Sequence, residues 1–246
     1  MEIFELLNQH KWNIGLILGL LILVGLFIKY YKDKSFLNDL MNNYGSGKDK
    51  SSLNDLMNKY GSDKGTDHNY TYYYENLFEN NKNNIKSLCE IGLGTNDINI
   101  PSNMGINGKP LASLYGWRDY FENAIIYGGD IDEKILKNED RIITYKIDMT
   151  NRDSVRDFWK NINTPVDIMI DDGLHEYEAN VTLFENSINK WKYYYIIEDV
   201  KNSLLDKWDI KINEWRNKYP EYNIQLIRLE IETRKTDNNL IVIKHN

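Results

Sequence analysis

Two short acidic runs in the second half of the chain carry residue types suited to metal-assisted proton chemistry. They are Asp171-Asp172-Gly173-Leu174-His175 and Glu198-Asp199. Each closes a β-rich run, which places its carboxylates at the carboxyl end of a strand. If the two strands are neighbours, about 5 Å apart, the carboxylates share one small volume and repel unless they are protonated or bound to a cation. An all-oxygen donor set suits Mg²⁺, with Mn²⁺ or Ca²⁺ as alternatives, rather than a structural zinc, which prefers Cys and His. Asp172, Glu198 and Asp199 are therefore the expected metal ligands. Successive strand residues face opposite ways, so Asp171 is expected toward the core or toward a cofactor. His175 stands three residues beyond Asp172, where a neutral imidazole can act as general base toward a hydroxyl.

A second group of residues lies upstream. Glu90-Ile91-Gly92-Leu93-Gly94 follows a short apolar run, Asp130 closes the next one and Asp148 the one after it. In an open α/β sheet, ligands bind at the carboxyl ends of the strands. The glycines admit a ligand close to the backbone, and a carboxylate at the position of Asp130 can accept hydrogen bonds from ribose hydroxyls. Asp148 is placed to meet an adenine edge. The expected cofactor residues are thus Glu90, Gly92, Gly94, Asp130 and Asp148, with Asp171 beside them. The third glycine of a dinucleotide fingerprint would fall at Asp97, which argues against a nicotinamide enzyme.

These residues need a scaffold that brings strand ends together. From residue 85 onward, β-rich runs (85–91, 124–130, 142–147, 166–171, 193–198) alternate with helical patterns. One pattern puts Tyr177, Val181, Phe184 and Ile188 on one face; another does so for Leu204, Leu205, Trp208, Ile212 and Trp215. Such alternation predicts an α/β fold with a mostly parallel sheet. Runs 224–231 and 240–244, joined by a short polar turn, predict an antiparallel hairpin at the end of the sheet. Five parallel strands followed by such a hairpin is, by analogy, the Rossmann-like class I methyltransferase layout.

The first part of the chain reads differently. Residues 12–28 contain no charge over 17 positions, with Trp12 at the start of the run and Tyr30 and Tyr31 just after it. That length predicts a transmembrane anchor behind a short tail, residues 1–11. Lys29, Lys32 and Lys34 follow the run and place the remainder in the cytosol by the positive-inside rule. The expectation is a single-pass membrane protein with a cytosolic catalytic domain. Residues 29–56 read as a linker containing a duplication: 37–48 and 53–64 match at ten of twelve positions. The second copy runs on into the folded domain, expected over 57–246. Cys89 is the single cysteine, so no intrachain disulfide exists, and its apolar surroundings mark it as a packing residue. A net charge of -7 disfavours general nucleic-acid binding, so no nucleic-acid partner is expected.

Taken in order, the segments Tyr60-Gly-Ser-Asp-Lys-Gly…His68-Asn-Tyr-Thr, Glu90-Ile-Gly-Leu-Gly, Ser113-Leu-Tyr-Gly-Trp-Arg-Asp-Tyr-Phe, Tyr127-Gly-Gly-Asp-Ile-Asp, Ile170-Asp-Asp-Gly-Leu-His and Ile196-Ile-Glu-Asp resemble the macrocin and mycinamicin sugar O-methyltransferases. The resemblance covers about residues 57–200. It implies S-adenosylmethionine as methyl donor, Mg²⁺, and a sugar-like hydroxyl of a small molecule or glycan as acceptor. By the same resemblance, Asp172, Glu198 and Asp199 are ligands, His175 the base, Glu90 and Asp130 cofactor residues, and Tyr60, Asp63, Lys64 and His68 a segment that closes over the site. The macrolide enzymes carry an extra N-terminal domain where this chain has its apolar run and linker. The alternative is a non-catalytic methyltransferase-like scaffold at a membrane, which the intact acidic cluster disfavours. Residues 98–111, rich in Pro and Gly, suit either a lid or an ordered surface loop.

Overall fold

The structure, a computed structural model, describes residues 52–246 except 66–67, 163–164 and 230–236. The expected anchor at 12–28, the tail before it and the first copy of the duplication lie outside the described residues. Among the described residues, no helix is long and apolar enough to cross a membrane.

Seven strands form one sheet in the order β3-β2-β1-β4-β5-β7-β6. They are β1 (Ser87–Ile91), β2 (Ile125–Asp130), β3 (Ile142–Lys146), β4 (Val166–Asp171), β5 (Trp191–Val200), β6 (Tyr222–Arg228) and β7 (Asn239–His245). The first five are parallel, and β7 runs antiparallel to both β5 and β6. The chain therefore has the expected Rossmann-like layout. β1 and β4 are neighbours at the point where the strand order reverses, which is where such sheets open a crevice for ligands.

Among the described residues, six α-helices pack around the sheet: α1 (Ser52–Tyr60), α2 (Tyr70–Phe78), α3 (Ala112–Tyr120), α4 (Arg152–Lys160), α5 (Tyr177–Asn186) and α6 (Leu205–Lys218). The first straddles the expected domain start at 57. Leu53 and Met57 are four residues apart on one helical face, and both are fully buried. On α4, the Asn151 side chain accepts the amides of Asp153 and Ser154 and so caps the first turn.

Strand parity divides the interior. Cys89, Ile91, Met169, Tyr195 and Ile197 face α4–α6, where Phe158, Phe184, Trp208 and Trp215 fill one apolar cluster. The alternate positions face α1–α3. There Tyr74, Phe78, Trp117, Phe121 and Tyr194 pack ring against ring at 5.4–6.5 Å. This parity decides which acidic side chains can meet.

Candidate active site

A cleft of about 670 Å³ opens at the carboxyl ends of the parallel strands, a size ordinary for a small-molecule site. One end is made by the loop after β1 and the ends of β2 and β3. Gly92 has φ +97°, and a Cβ there would lie 1.9 Å from the Asp172 carbonyl oxygen. Only glycine lets the β1 loop cross the β4 loop so closely. Gly94, at φ +76°, sits against the Met104 sulfur, where a Cβ would approach to 2.0 Å. Asp130 lines this end and accepts the Leu93 amide at 2.7 Å and the Asp132 amide at 2.9 Å. Burial raises its pKa, and those amides pull the other way. Asp148 also lines the cleft, while its Oδ1 accepts the Thr150 amide and hydroxyl. Residues 98–111 form an outer wall. Met104 and Leu111 donate backbone amides to Thr95 and Leu93, and the Ser102 hydroxyl donates to the Leu174 carbonyl at 2.7 Å.

The other end is acidic. Asp172, His175 and Asp199 line the cleft together, and they present ligand atoms within 4.8 Å of one another. His175 lies between the two carboxylates, with Nε2 3.2 Å from Asp172 and Nδ1 3.4 Å from Asp199. Burial opposes its protonation, but the Asp172 hydrogen bond and both acidic neighbours prevail and lift its pKa to about 9. His175 and Asp199 hold φ values of +57° and +52°, a left-handed backbone uncommon outside glycine. Strain of that kind persists where surrounding contacts enforce it.

Three expected site residues lie beneath the cleft rather than on its wall. Glu90 shares the parity of Leu88, facing α3. It is fully buried, accepting the Ser113 hydroxyl at 2.6 Å and the Trp117 indole at 2.5 Å. It is not among the residues that line the cleft. Asp171 is turned by the same alternation toward α5 and is fully buried, with the Tyr195 hydroxyl 3.4 Å from one oxygen. Of the two directions open to it, the core is the one realised, and it is not among the residues that line the cleft. Glu198 is 1% exposed and accepts from the Tyr74 hydroxyl and the Lys64 ammonium.

Lys64 is the counter-ion of this end. Its ammonium lies 2.5 Å from Asp172, 2.5 Å from Glu198 and 3.5 Å from Glu90. The carboxylates are thus relieved by an internal lysine as well as by His175. Burial alone would lower the Lys64 pKa, yet Asp172, Glu198 and Glu90 hold it well above the usual lysine range. Burial and neighbouring acids raise Glu198, whereas Lys64 and His175 overcome burial to hold Asp172 well below the usual range. Helix α2 supplies hydroxyls that orient the acids: Tyr70 donates to Asp199 at 2.6 Å and Tyr74 to Glu198. His68, from the segment expected to close over the site, stacks on Tyr70 at 5.0 Å, and its Nδ1 lies 3.3 Å from Asp199. Sequence reasoning missed Tyr70 and Tyr74. Their i, i+4 spacing places both on one helical face and was the available signal.

The fold is that of a class I methyltransferase. The chain aligns with the MycE methyltransferase of the mycinamycin pathway, solved in complex with Mg, SAH and mycinamycin VI, at a TM-score of 0.61 and 24% identity, covering 81% of this chain and 56% of that one. A putative caffeoyl-CoA O-methyltransferase from Staphylococcus aureus aligns at 0.51 and 14% identity, over 87% and 99% of the two chains. Among curated proteins, the similarity runs to two O-methyltransferases. The 8-demethyl-8-alpha-L-rhamnosyl tetracenomycin-C 2'-O-methyltransferase of Streptomyces olivaceus is 34% identical over 143 residues, 57% of this chain and 35% of that protein. Demethylmacrocin O-methyltransferase of Streptomyces fradiae is 32% identical over 120 residues, 49% and 28% of the two. The chain thus spans about a third of the length of the curated relatives it matches. No family model matches the chain.

Proposed function

We propose that the chain is an S-adenosylmethionine-dependent, metal-assisted O-methyltransferase acting on a sugar-like hydroxyl. The observation that carries this reading is the continuity of one cleft, from Asp130 and the β1 glycines to Asp172, His175 and Asp199. The relatives named above, one an O-methyltransferase of a rhamnosyl compound and one solved with Mg and SAH, support the choice of donor, metal and acceptor.

The donor set fits a hard cation: Asp172 and Asp199 offer carboxylate oxygens within reach of one another, as Mg²⁺ requires. Those two residues would hold the ion, with Glu198 as the third expected ligand. A bound Mg²⁺ supplies Lewis acidity that lowers the pKa of an acceptor hydroxyl, and S-adenosylmethionine supplies the methyl group. The residues of the chain do the remainder. Asp130 and the loop at Gly92–Gly94 seat the nucleoside. His175 is held where it can take the hydroxyl proton on a ring nitrogen. With its pKa near 9 it keeps a proton at neutral pH while Asp172 and Asp199 face it alone. A cation held by those two carboxylates would weaken that hold and leave the nitrogen able to take a proton.

The test is calorimetric titration of S-adenosylmethionine into the full chain with and without Mg²⁺, followed by methyl transfer to a panel of rhamnosides and other deoxyhexosides. Binding plus Mg²⁺-dependent product supports the reading. A folded protein that binds no S-adenosylmethionine defeats it. For the N-terminal run, the uncharged stretch 12–28 with lysines after it supports a membrane anchor and a cytosolic domain. Deleting 12–28 should release the protein from the membrane fraction, and retention in the pellet would exclude the anchor.

A further inference from the structure

Lys64 takes no part in the mechanism above, yet it occupies that mechanism's central carboxylates. Its side chain is 2% exposed, and its ammonium makes contacts of 2.5 Å with one oxygen each of Asp172 and Glu198, the length of strong charge-assisted hydrogen bonds. Both residues are among the three expected metal ligands. The lysine does not come from the sheet. It arrives from the connection between α1 and α2, over sequence separations of 108 and 134 residues, and it lines the cleft. A lysine is a compact point charge on a flexible stem, so its head can leave without the sheet moving. An ammonium and a divalent cation on the same oxygens repel each other.

We propose that Lys64 is an exchangeable internal counter-cation. It competes with the divalent ion for Asp172 and Glu198, so that metal entry withdraws Lys64 and shifts the Ser62–Gly65 turn that carries it. The metal site is then coupled to the N-terminal segment over the cleft, and Lys64 sets the concentration at which the ion enters. This inference rests on the metal reading above.

The test uses the full chain and Mn²⁺, whose binding is followed by electron paramagnetic resonance. Amine acylation of Lys64 is read in parallel by peptide mass spectrometry. Lys64 is expected to resist acylation without metal and to become labelled with the same Mn²⁺ midpoint as binding. Mn²⁺ binding with Lys64 still protected overturns the proposal and leaves the metal reading intact. No Mn²⁺ binding at all removes both. In a K64M variant, Mn²⁺ affinity should rise by about tenfold or more, and the thermal transition should become dependent on Mn²⁺. Equal or weaker affinity would sink the exchange idea. If K64M does not fold, the labelling of the unaltered chain still decides.

Discussion

The two ends of the cleft satisfy their acidic residues in opposite ways. At the end proposed for the cofactor, Asp130 and Asp148 accept hydrogen bonds from nearby loops: Leu93 and Asp132 for the one, Thr150 for the other. At the acidic end, Asp172, Glu198 and Asp199 depend on Lys64, Tyr74 and Tyr70, all from segments that precede the sheet. The first end is thus largely assembled by the β1–β3 half of the sheet. The second is complete only when the α1–α2 region packs against the other half. Under the proposed function, a cofactor cradle that holds itself and a reaction centre that needs a long-range partner should fail separately when each is disturbed.

The largest separation is expected at His175. Replacing it with Ala removes the proposed base and leaves Asp130, Gly92 and Gly94 untouched. Turnover should fall about 10²–10⁴-fold, with S-adenosylmethionine affinity kept within a few-fold by calorimetry. Equal losses in both would erase the distinction between the ends and give His175 a structural role. Gly92→Ala should do the reverse and damage both, because Gly92 lies where the β1 loop crosses the β4 loop. Its Cβ would meet the Asp172 carbonyl, and the left-handed backbone adds its own cost. A loss of roughly 3 kcal/mol in chemical denaturation is expected, together with weaker cofactor binding. A variant as stable as the parent would mean that the two loops separate easily.

The contrast also explains what could be read from the sequence. The strands were legible because parallel strands covered on both faces are near-continuous apolar runs, as 168–170 and 195–197 are. The acidic pairs were legible because they close those runs. The direction of each acid was harder. Glu90 and Asp171 both flank apparent cofactor motifs, yet a one-residue parity turns Glu90 under α3 and Asp171 toward α5. The partners of the acidic end were least legible. The resemblance brought Lys64 to the site, but nothing local says that its ammonium meets residues more than 100 positions away. The spacing of Tyr70 and Tyr74 defines a helix face without saying what that face meets.

Those tyrosines offer the next prediction. Tyr70→Phe removes a buried hydroxyl that donates to Asp199 and leaves the ring in its stack with His68. A hydrogen bond to a charged group is worth about 1.5–3 kcal/mol, so a loss near the lower figure is expected in thermal or denaturant unfolding. Cofactor affinity should not change. If it does, the cofactor end is less self-contained than its local hydrogen bonds imply.

The smallest effect sharpens the comparison from behind the sheet. Asp171 stands beside Asp172 in sequence, but it is buried against α5 with one oxygen lacking a partner among the described residues. Burial raises its pKa to about 6, and Asn180 and His175 oppose that shift. A carboxyl group whose pKa is higher folded than unfolded favours the native state while it is protonated. Its contribution is present below the ordinary value near 4 and is lost as the pH rises through about 6. Above pH 6 the native state holds an ionised, poorly solvated carboxylate. Asp171→Asn should therefore stabilise the fold at pH 8 by on the order of 1 kcal/mol, and the gain should shrink toward pH 4. Thermal unfolding of the two proteins across that range measures it. A variant destabilised at every pH would mean that the charge of Asp171 is used after all, and would return it to the candidate cofactor residues.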